Sequence, residues 1–157
     1  MKFLQINNKD EISELNNSIK ANKQVFLLIY MEGCGPCNST RPEWKKIENV
    51  LNTKTNEKSN NVVVAEIEQV HLDKLTFIKD NVKGFPSMKY ISNRGLLQED
   101  FEDSDTKNKT REIDAFIEWI DSKIKQKGGK KSRKYKRSKK RHYKCGRKTK
   151  KNRRTYK

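Results

Sequence analysis

The sequence has little cysteine, little proline and no long apolar run. Its 157 residues include three cysteines and three prolines. Its most apolar stretch, Val25–Met31, is far shorter than the about 20 residues that a membrane-spanning helix needs. The N-terminal residues lack the apolar core and cleavage site of a secretory signal peptide. We therefore expect no membrane partner, a cytoplasmic or nuclear location, and reduced thiols or a catalytic cysteine pair instead of a framework of structural disulfides.

Acidic residues are missing from the last part of the chain. Of the 37 Lys and Arg residues, 19 lie from Lys125 onward, where there is no Asp or Glu. The preceding part holds the other 18 basic residues and all 20 acidic ones, a net charge of −2. The tail also has too few aliphatic residues to offset the entropy lost on ordering. We predict a folded domain over residues 1–124 and a Lys/Arg-rich tail over 125–157 that is disordered when free.

The basic tail predicts a polyanionic partner. Residues 128–157 interleave Lys and Arg with three tyrosines, a composition suited to phosphate attraction and to stacking on unpaired bases. Nuclear targeting and attachment to an acidic protein remain alternatives. The Gly-Gly-then-basic ending resembles tails on proteins of large DNA viruses, which adds the virion as an alternative location. For Cys145, in this tail, we favour an incidental free thiol over a regulatory disulfide with Cys34, because its spacing matches no motif.

Hydrophobic periodicity predicts an α/β fold. Helical spacing predicts helices over residues 10–20, 37–51, 72–79 and 113–124, the first with Asp10 as its cap and the second with Pro42 inside it. Continuous apolar runs predict buried strands over 25–31 and 62–67. Alternation predicts a strand over 88–91, a turn over 92–95 and a return over 96–101. The order α-β-α-β-α-β-β-α favours a mixed central sheet with helices on both faces.

Cys34 and Cys37 are spaced as a redox pair, half of a metal site or a bland turn. A zinc or iron–sulfur site needs about four ligands, and His71, His142 and Cys145 stand in no recurring ligand spacing relative to the pair. We therefore predict no metal and no other cofactor. The pair falls between a predicted strand and a predicted helix, where backbone amides and the helix dipole stabilise a thiolate. That position favours redox chemistry over an inert turn.

The motifs around the pair resemble the thioredoxin family over about residues 8–124. The motif Cys34-Gly35-Pro36-Cys37 precedes a proline-containing helix, and Gly84-Phe85-Pro86-Ser87 resembles the family's cis-proline loop. The resemblance implies a thioredoxin-like fold and thiol–disulfide exchange on protein disulfides. It also implies that Cys34 attacks the substrate and that Cys37 resolves the mixed disulfide. Pro86 would then pack against the dithiol, and the backbone at Phe85 would pair with the substrate chain.

Two features point to different branches of this family. The stretch Gly84–Ile91 resembles the loop and strand of the protein disulfide isomerase branch. Arg111, eight residues before Trp119, also matches that branch, where such an arginine approaches the dithiol and eases deprotonation of the second cysteine. Gly35-Pro36 between the cysteines is instead the thioredoxin choice and favours a reductant. A disulfide-forming oxidase or isomerase is therefore an alternative. A nucleic-acid-binding or virion structural protein that uses the domain as a scaffold is another.

Three positions depart from the family pattern. Gly33 stands where the family usually has tryptophan, and Leu28 replaces the buried acid six residues before the first cysteine. Glu66 aligns with that acid's usual lysine partner. One hypothesis is that Glu66 supplies the missing carboxylate and tunes the dithiol. The interpretation we favour places Glu66 at a strand end in solvent, because glutamate is seldom fully buried.

Overall fold

A computed structural model describes residues 1–52, 60–78 and 82–128. Five strands and three α-helices follow one another along these residues: β1 Lys2–Ile6, α1 Lys9–Lys20, β2 Gln24–Tyr30, α2 Gly35–Asn52, β3 Val62–Glu68, β4 Ser87–Ser92, β5 Leu97–Asp100 and α3 Ile113–Gly128. Short 3₁₀ segments lie at Gln69–Lys74, Asn93–Gly95 and Phe101–Asp103. In the described ranges no helix combines the length and the apolar character needed to cross a membrane.

The strands form one mixed sheet in the order β1-β3-β2-β4-β5. Strands β1, β3 and β2 are parallel, β4 is antiparallel to β2, and β5 is antiparallel to β4. All seven residues of the central strand β2 are buried. The parallel strands end at the same edge of the sheet, so the chain leaving β2 and the chain leaving β3 emerge side by side.

Alternate residues of β2 divide the core into two layers. Val25, Leu27 and Ile29 pack on the face that α1 covers. Phe26 and Leu28 pack on the opposite face, beneath α2 and α3. The predicted α/β fold, a thioredoxin-like mixed sheet with helices on both faces, is therefore confirmed.

Two local predictions, of a helix and of a helix cap, are wrong, and one strand was missed. Strand β1 was not predicted, because as an edge strand it is only partly buried and shows no apolar run. The predicted helix over 72–79 is a 3₁₀ segment at Gln69–Lys74, and the chain is not helical over residues 75–78. The predicted cap of helix α1, Asp10, lies inside the first turn, and the cap is Asn8. The Asn8 side chain accepts a hydrogen bond from the Glu11 amide, and the Glu11 carboxylate accepts one from the Asn8 amide.

Helix α3 continues past the predicted boundary at residue 124 and ends at Gly128. The predicted disorder is therefore wrong for residues 125–128, which are helical. The rest of the predicted tail, residues 129–157 with Cys145, lies outside the described residues.

Candidate functional site

Cys34 and Cys37 lie where the chain passes from β2 into α2. They form a disulfide with their Cα atoms 5.2 Å apart. Cys34 is 8% exposed and Cys37 is fully buried. The cysteine nearer the start of the helix is thus the one that solvent reaches, and its partner lies beneath it.

The start of α2 stabilises negative charge at the exposed sulfur. The backbone N–H of Cys37 donates to the Cys34 Sγ at 3.2 Å, and the Asn38 amide closes the first helical turn onto the Cys34 carbonyl at 3.1 Å. In the reduced protein the same amide and the helix dipole would face a Cys34 thiolate, and both stabilise a negative charge at a helix N-terminus. Cys34 has the surroundings of a nucleophile.

Gly35 and Pro36 open α2 between the two cysteines. Proline suits the first turn of a helix, where its missing N–H has no intrahelical acceptor. The Thr40 hydroxyl donates to the Pro36 carbonyl at 2.9 Å, which ties the motif to the next turn. These two residues shape the loop and add no ionisable group to it.

Gly33, directly before the dithiol, is held in the left-handed region with φ of +76°. No atom lies within 4 Å of the position that a Cβ would take there. Glycine is therefore favoured here by backbone conformation and not by lack of space.

The Phe85–Pro86 loop faces the dithiol from β4. The Phe85–Pro86 peptide bond is cis, as the resemblance implied, and the Phe85 carbonyl oxygen lies 3.7 Å from the Cys34 Sγ. Phe85 also packs in the apolar cluster that holds both cysteines. The structure thus brings together residues that are 51 positions apart in the sequence.

Glu66 is buried in the interior of β3, so the interpretation that placed it at a strand end in solvent is wrong. It is 4% exposed and lies on the sheet face covered by α2, opposite Leu28 in the register with β2. Its Oε1 pairs with the Arg41 guanidinium at 3.4 Å and with the Lys45 ammonium at 3.5 Å. Its Oε2 is buried and has no hydrogen-bond partner in the described part of the chain. Two cations from α2 make this burial tolerable.

Arg41 is a site residue that the sequence patterns did not identify. Its guanidinium carbon lies 3.7 Å from the centre of the Tyr30 ring, and Tyr30 packs in the cluster that holds Cys34 and Cys37. Burial raises the pKa of Tyr30, and Arg41 partly opposes that rise. The available signal was spacing, because Arg41 follows Cys37 by four residues and so occupies the same face of α2.

Arg111 lies beside the Phe85–Pro86 loop and not in α3. It precedes that helix and pairs with Glu102 at 3.3 Å. Both residues line an open cavity of about 350 Å³ together with Phe85 and Pro86. The Arg111 side chain is 41% exposed, so the Arg111–Glu102 ion pair is in contact with solvent. The predicted approach of Arg111 to the dithiol stays a prediction.

Comparisons with known proteins agree with this geometry. A family model described as Thioredoxin matches residues 6–119. A search of curated proteins found no match.

Among the residues that the structure describes, no group of three or more His, Cys, Asp or Glu side chains is arranged to hold a metal ion.

Similar solved structures include parts of ERdj5 and human ERp44. The Trx4 domain of ERdj5 is 14% identical, with a TM-score of 0.55 over 80% of this chain and 98% of that one. Human ERp44 in its zinc-bound form is 16% identical, with a TM-score of 0.54 over 78% of this chain and 31% of that one. The J-Trx1 fragment of ERdj5 is 12% identical, with a TM-score of 0.52 over 78% of this chain and 52% of that one. The chain thus spans about half or less of two of these proteins, and at such identities the likeness shows the fold.

Proposed function

Because the chain belongs to the thioredoxin family, we propose that it is a thiol–disulfide oxidoreductase that reduces or exchanges the disulfides of other proteins. The observation that supports this most is the placement of the dithiol. Cys34 is the outer sulfur at a helix start, Cys37 lies buried within bonding distance, and the Phe85 carbonyl faces Cys34. Neither a metal site nor an inert turn accounts for all three of these features.

The reaction follows from which sulfur is exposed. In the reduced protein the Cys34 thiolate attacks one sulfur of a substrate disulfide, so that the substrate S–S bond breaks and a Cys34–substrate disulfide forms. The departing substrate sulfur takes up a proton. Cys37, having lost its proton, then attacks the Cys34 sulfur and releases the second substrate thiol. Two electrons pass to the substrate, and the Cys34–Cys37 disulfide seen here is the oxidised product.

Trapping tests this order of events. A Cys37→Ser variant retains the attacking sulfur and loses the resolving one, so it should accumulate mixed disulfides with substrate proteins. Cys34→Ser is the matched control and should accumulate far fewer. Both variants are best made with Cys145→Ser, so that the tail thiol forms no adducts. Equal trapping by both variants, or no trapping by either, would contradict the mechanism.

We propose reduction as the physiological direction, on the basis of Gly35-Pro36 between the cysteines. Reduction potentials within this superfamily span a wide range, from about −270 mV for thioredoxin to about −180 mV for protein disulfide isomerase. Equilibrating the protein with glutathione buffers and measuring the oxidised fraction gives its potential. A value near that of the isomerase would favour the oxidase or isomerase alternative.

We further propose that residues 128–157 attach the domain to nucleic acid or to an acidic partner, in the nucleus, the cytoplasm or a virion. The support is compositional: the segment is rich in Lys and Arg and has no acidic residue. Binding of the full chain to mixed-sequence DNA should weaken steeply as salt rises, because each neutralised phosphate releases counterions. Replacing Lys139, Lys140 and Arg141 by Gln should make that dependence shallower. Tight DNA binding together with no reduction of insulin would favour the scaffold alternative.

A further inference from the structure

Arg41 places a cation on the same helix as the buried cysteine. Arg41 follows Cys37 by four residues, which places the two side chains on one face of α2, about one turn apart. The guanidinium covers the Tyr30 ring at 3.7 Å, and that ring packs in the apolar cluster with Cys37. Tyr30 therefore contacts the Arg41 guanidinium and also belongs to the apolar cluster that contains Cys37.

The buried Glu66 carboxylate on β3 holds the Arg41 side chain in place. Its Nη2 lies 3.4 Å from the Glu66 Oε1, and the side chain is 28% exposed. The carboxylate that holds it also pairs with Lys45, whose side chain is 55% exposed. The Arg41 Nε is buried and has no hydrogen-bond partner among the described residues. A guanidinium with one anchored nitrogen and one unpaired buried donor retains capacity to interact with a further anion.

Position along the strands orders the charges relative to the dithiol. Glu66 lies opposite Leu28, whereas Tyr30 lies two residues nearer the edge from which the cysteines emerge. Two strand residues span about 6.5 Å. The guanidinium contacts both the Glu66 carboxylate and the Tyr30 ring. The other carboxylates near Tyr30 are Glu68 and Glu32. Glu68 is partly exposed and Glu32 is exposed, so solvent screens both.

We propose that Arg41 is a positioning residue that stabilises the thiolate of Cys37 in the reduced protein. This inference rests on the proposed disulfide exchange, because it concerns the step in which Cys37 releases the substrate. A positive charge close to a thiol favours the charged form of that thiol. Glu66 then acts as the anchor that holds the guanidinium in place, and the cation comes from α2 itself.

A titration of the single remaining thiol tests this directly. In the full chain carrying Cys34→Ser and Cys145→Ser, only Cys37 forms a thiolate, and its ultraviolet absorbance is followed against pH. Arg41→Gln should lower the thiolate fraction at neutral pH by about tenfold, the smallest effect expected for removing a close opposite charge. Arg41→Lys keeps the charge but loses the planar stacking, and should retain most of the thiolate. Lys45→Gln is the matched control, since it removes a more exposed cation from the same carboxylate, and should change the fraction by less than about twofold.

The outcomes separate electrostatics from packing. If Arg41→Gln titrates like its parent, or if Arg41→Lys is as deficient as Arg41→Gln, then the proposal is overturned, because stacking alone would explain the geometry. Arg41→Met preserves contact with the Tyr30 ring and takes the place of Arg41→Gln if that variant does not fold. The titration needs no substrate disulfide. A protein that failed to reduce insulin would therefore refute the proposed function and leave this test intact.

Discussion

Gly33 provides a sharp test of how backbone conformation limits the residue before the dithiol. Its φ of +76° lies in the left-handed region, and the space around the missing Cβ is open to at least 4 Å. A residue with a Cβ costs roughly 1–2 kcal/mol in this conformation. Since no atom obstructs the added methyl group, the free energy of unfolding of Gly33→Ala should fall by that amount, about 1–2 kcal/mol, with no contribution from packing.

Two other glycines separate strain from collision. Gly95 also has a positive φ, +87°, but its added Cβ would lie 2.5 Å from the Cδ1 of Phe77. Overpacking adds about 1–3 kcal/mol, so Gly95→Ala should cost about 2–5 kcal/mol in total. Gly35 has open space and no positive φ. Gly35→Ala should leave the free energy of unfolding unchanged or raise it by up to about 1 kcal/mol.

Urea unfolding of the oxidised proteins, followed by far-ultraviolet circular dichroism, measures all three changes on one scale. Equal slopes would show that the unfolded states are comparable, so midpoints report stability. The expected order of midpoints is Gly35→Ala at or above the parent, then Gly33→Ala, then Gly95→Ala. A Gly33→Ala midpoint equal to the parent's would refute the strain argument, and one as low as that of Gly95→Ala would refute the claim that the site is open.

Three further predictions follow from buried side chains. If Glu66 accepts the proton of Cys37, then Glu66→Gln should slow insulin reduction at neutral pH by about a hundredfold; an unchanged rate and pH profile would end that hypothesis. Phe116 is fully buried and packs edge-to-face on Trp44 with ring centroids 5.1 Å apart, so Phe116→Ala should lower the free energy of unfolding by about 3–5 kcal/mol, and a loss below about 1 kcal/mol would contradict the packing. Burial raises the pKa of Tyr90 above its ordinary 10.0, so the folded protein keeps that proton longer than the unfolded chain does. The contribution of Tyr90 to the free energy of unfolding should be complete below about pH 10 and should decline as pH rises through the folded pKa. Urea unfolding across this pH range should show a smaller decline in Tyr90→Phe.

The sequence predicts those parts of the fold that carry their signal locally. Strands β2 and β3 are continuous apolar runs, and the dithiol lies in a short motif that indicates its own chemistry. The cis bond before Pro86 was predictable because the residues around it resemble a family loop. Strand β1 gave no comparable signal, since its burial alternates irregularly and its pairing with β3 joins residues about sixty positions apart.

The site was harder to predict than the fold because charges are balanced across elements. Glu66 looks like a solvent-facing residue when only its neighbours on β3 are considered. Its burial depends on Arg41, which is 25 residues away on a helix that crosses above it. Gly33 likewise looks like the loss of a side chain, whereas its left-handed φ gives a backbone reason for glycine at this position.

Strand β2 gives the dithiol loop a rigid support on one side. It is hydrogen-bonded to β3 on one edge and to β4 on the other, and every residue in it is buried. The loop that carries the dithiol therefore follows directly from a strand that is buried and hydrogen-bonded along both edges. We expect that making or breaking the Cys34–Cys37 bond leaves this strand in place. Amide hydrogens of β2 should accordingly exchange with solvent at similarly slow rates in both redox states.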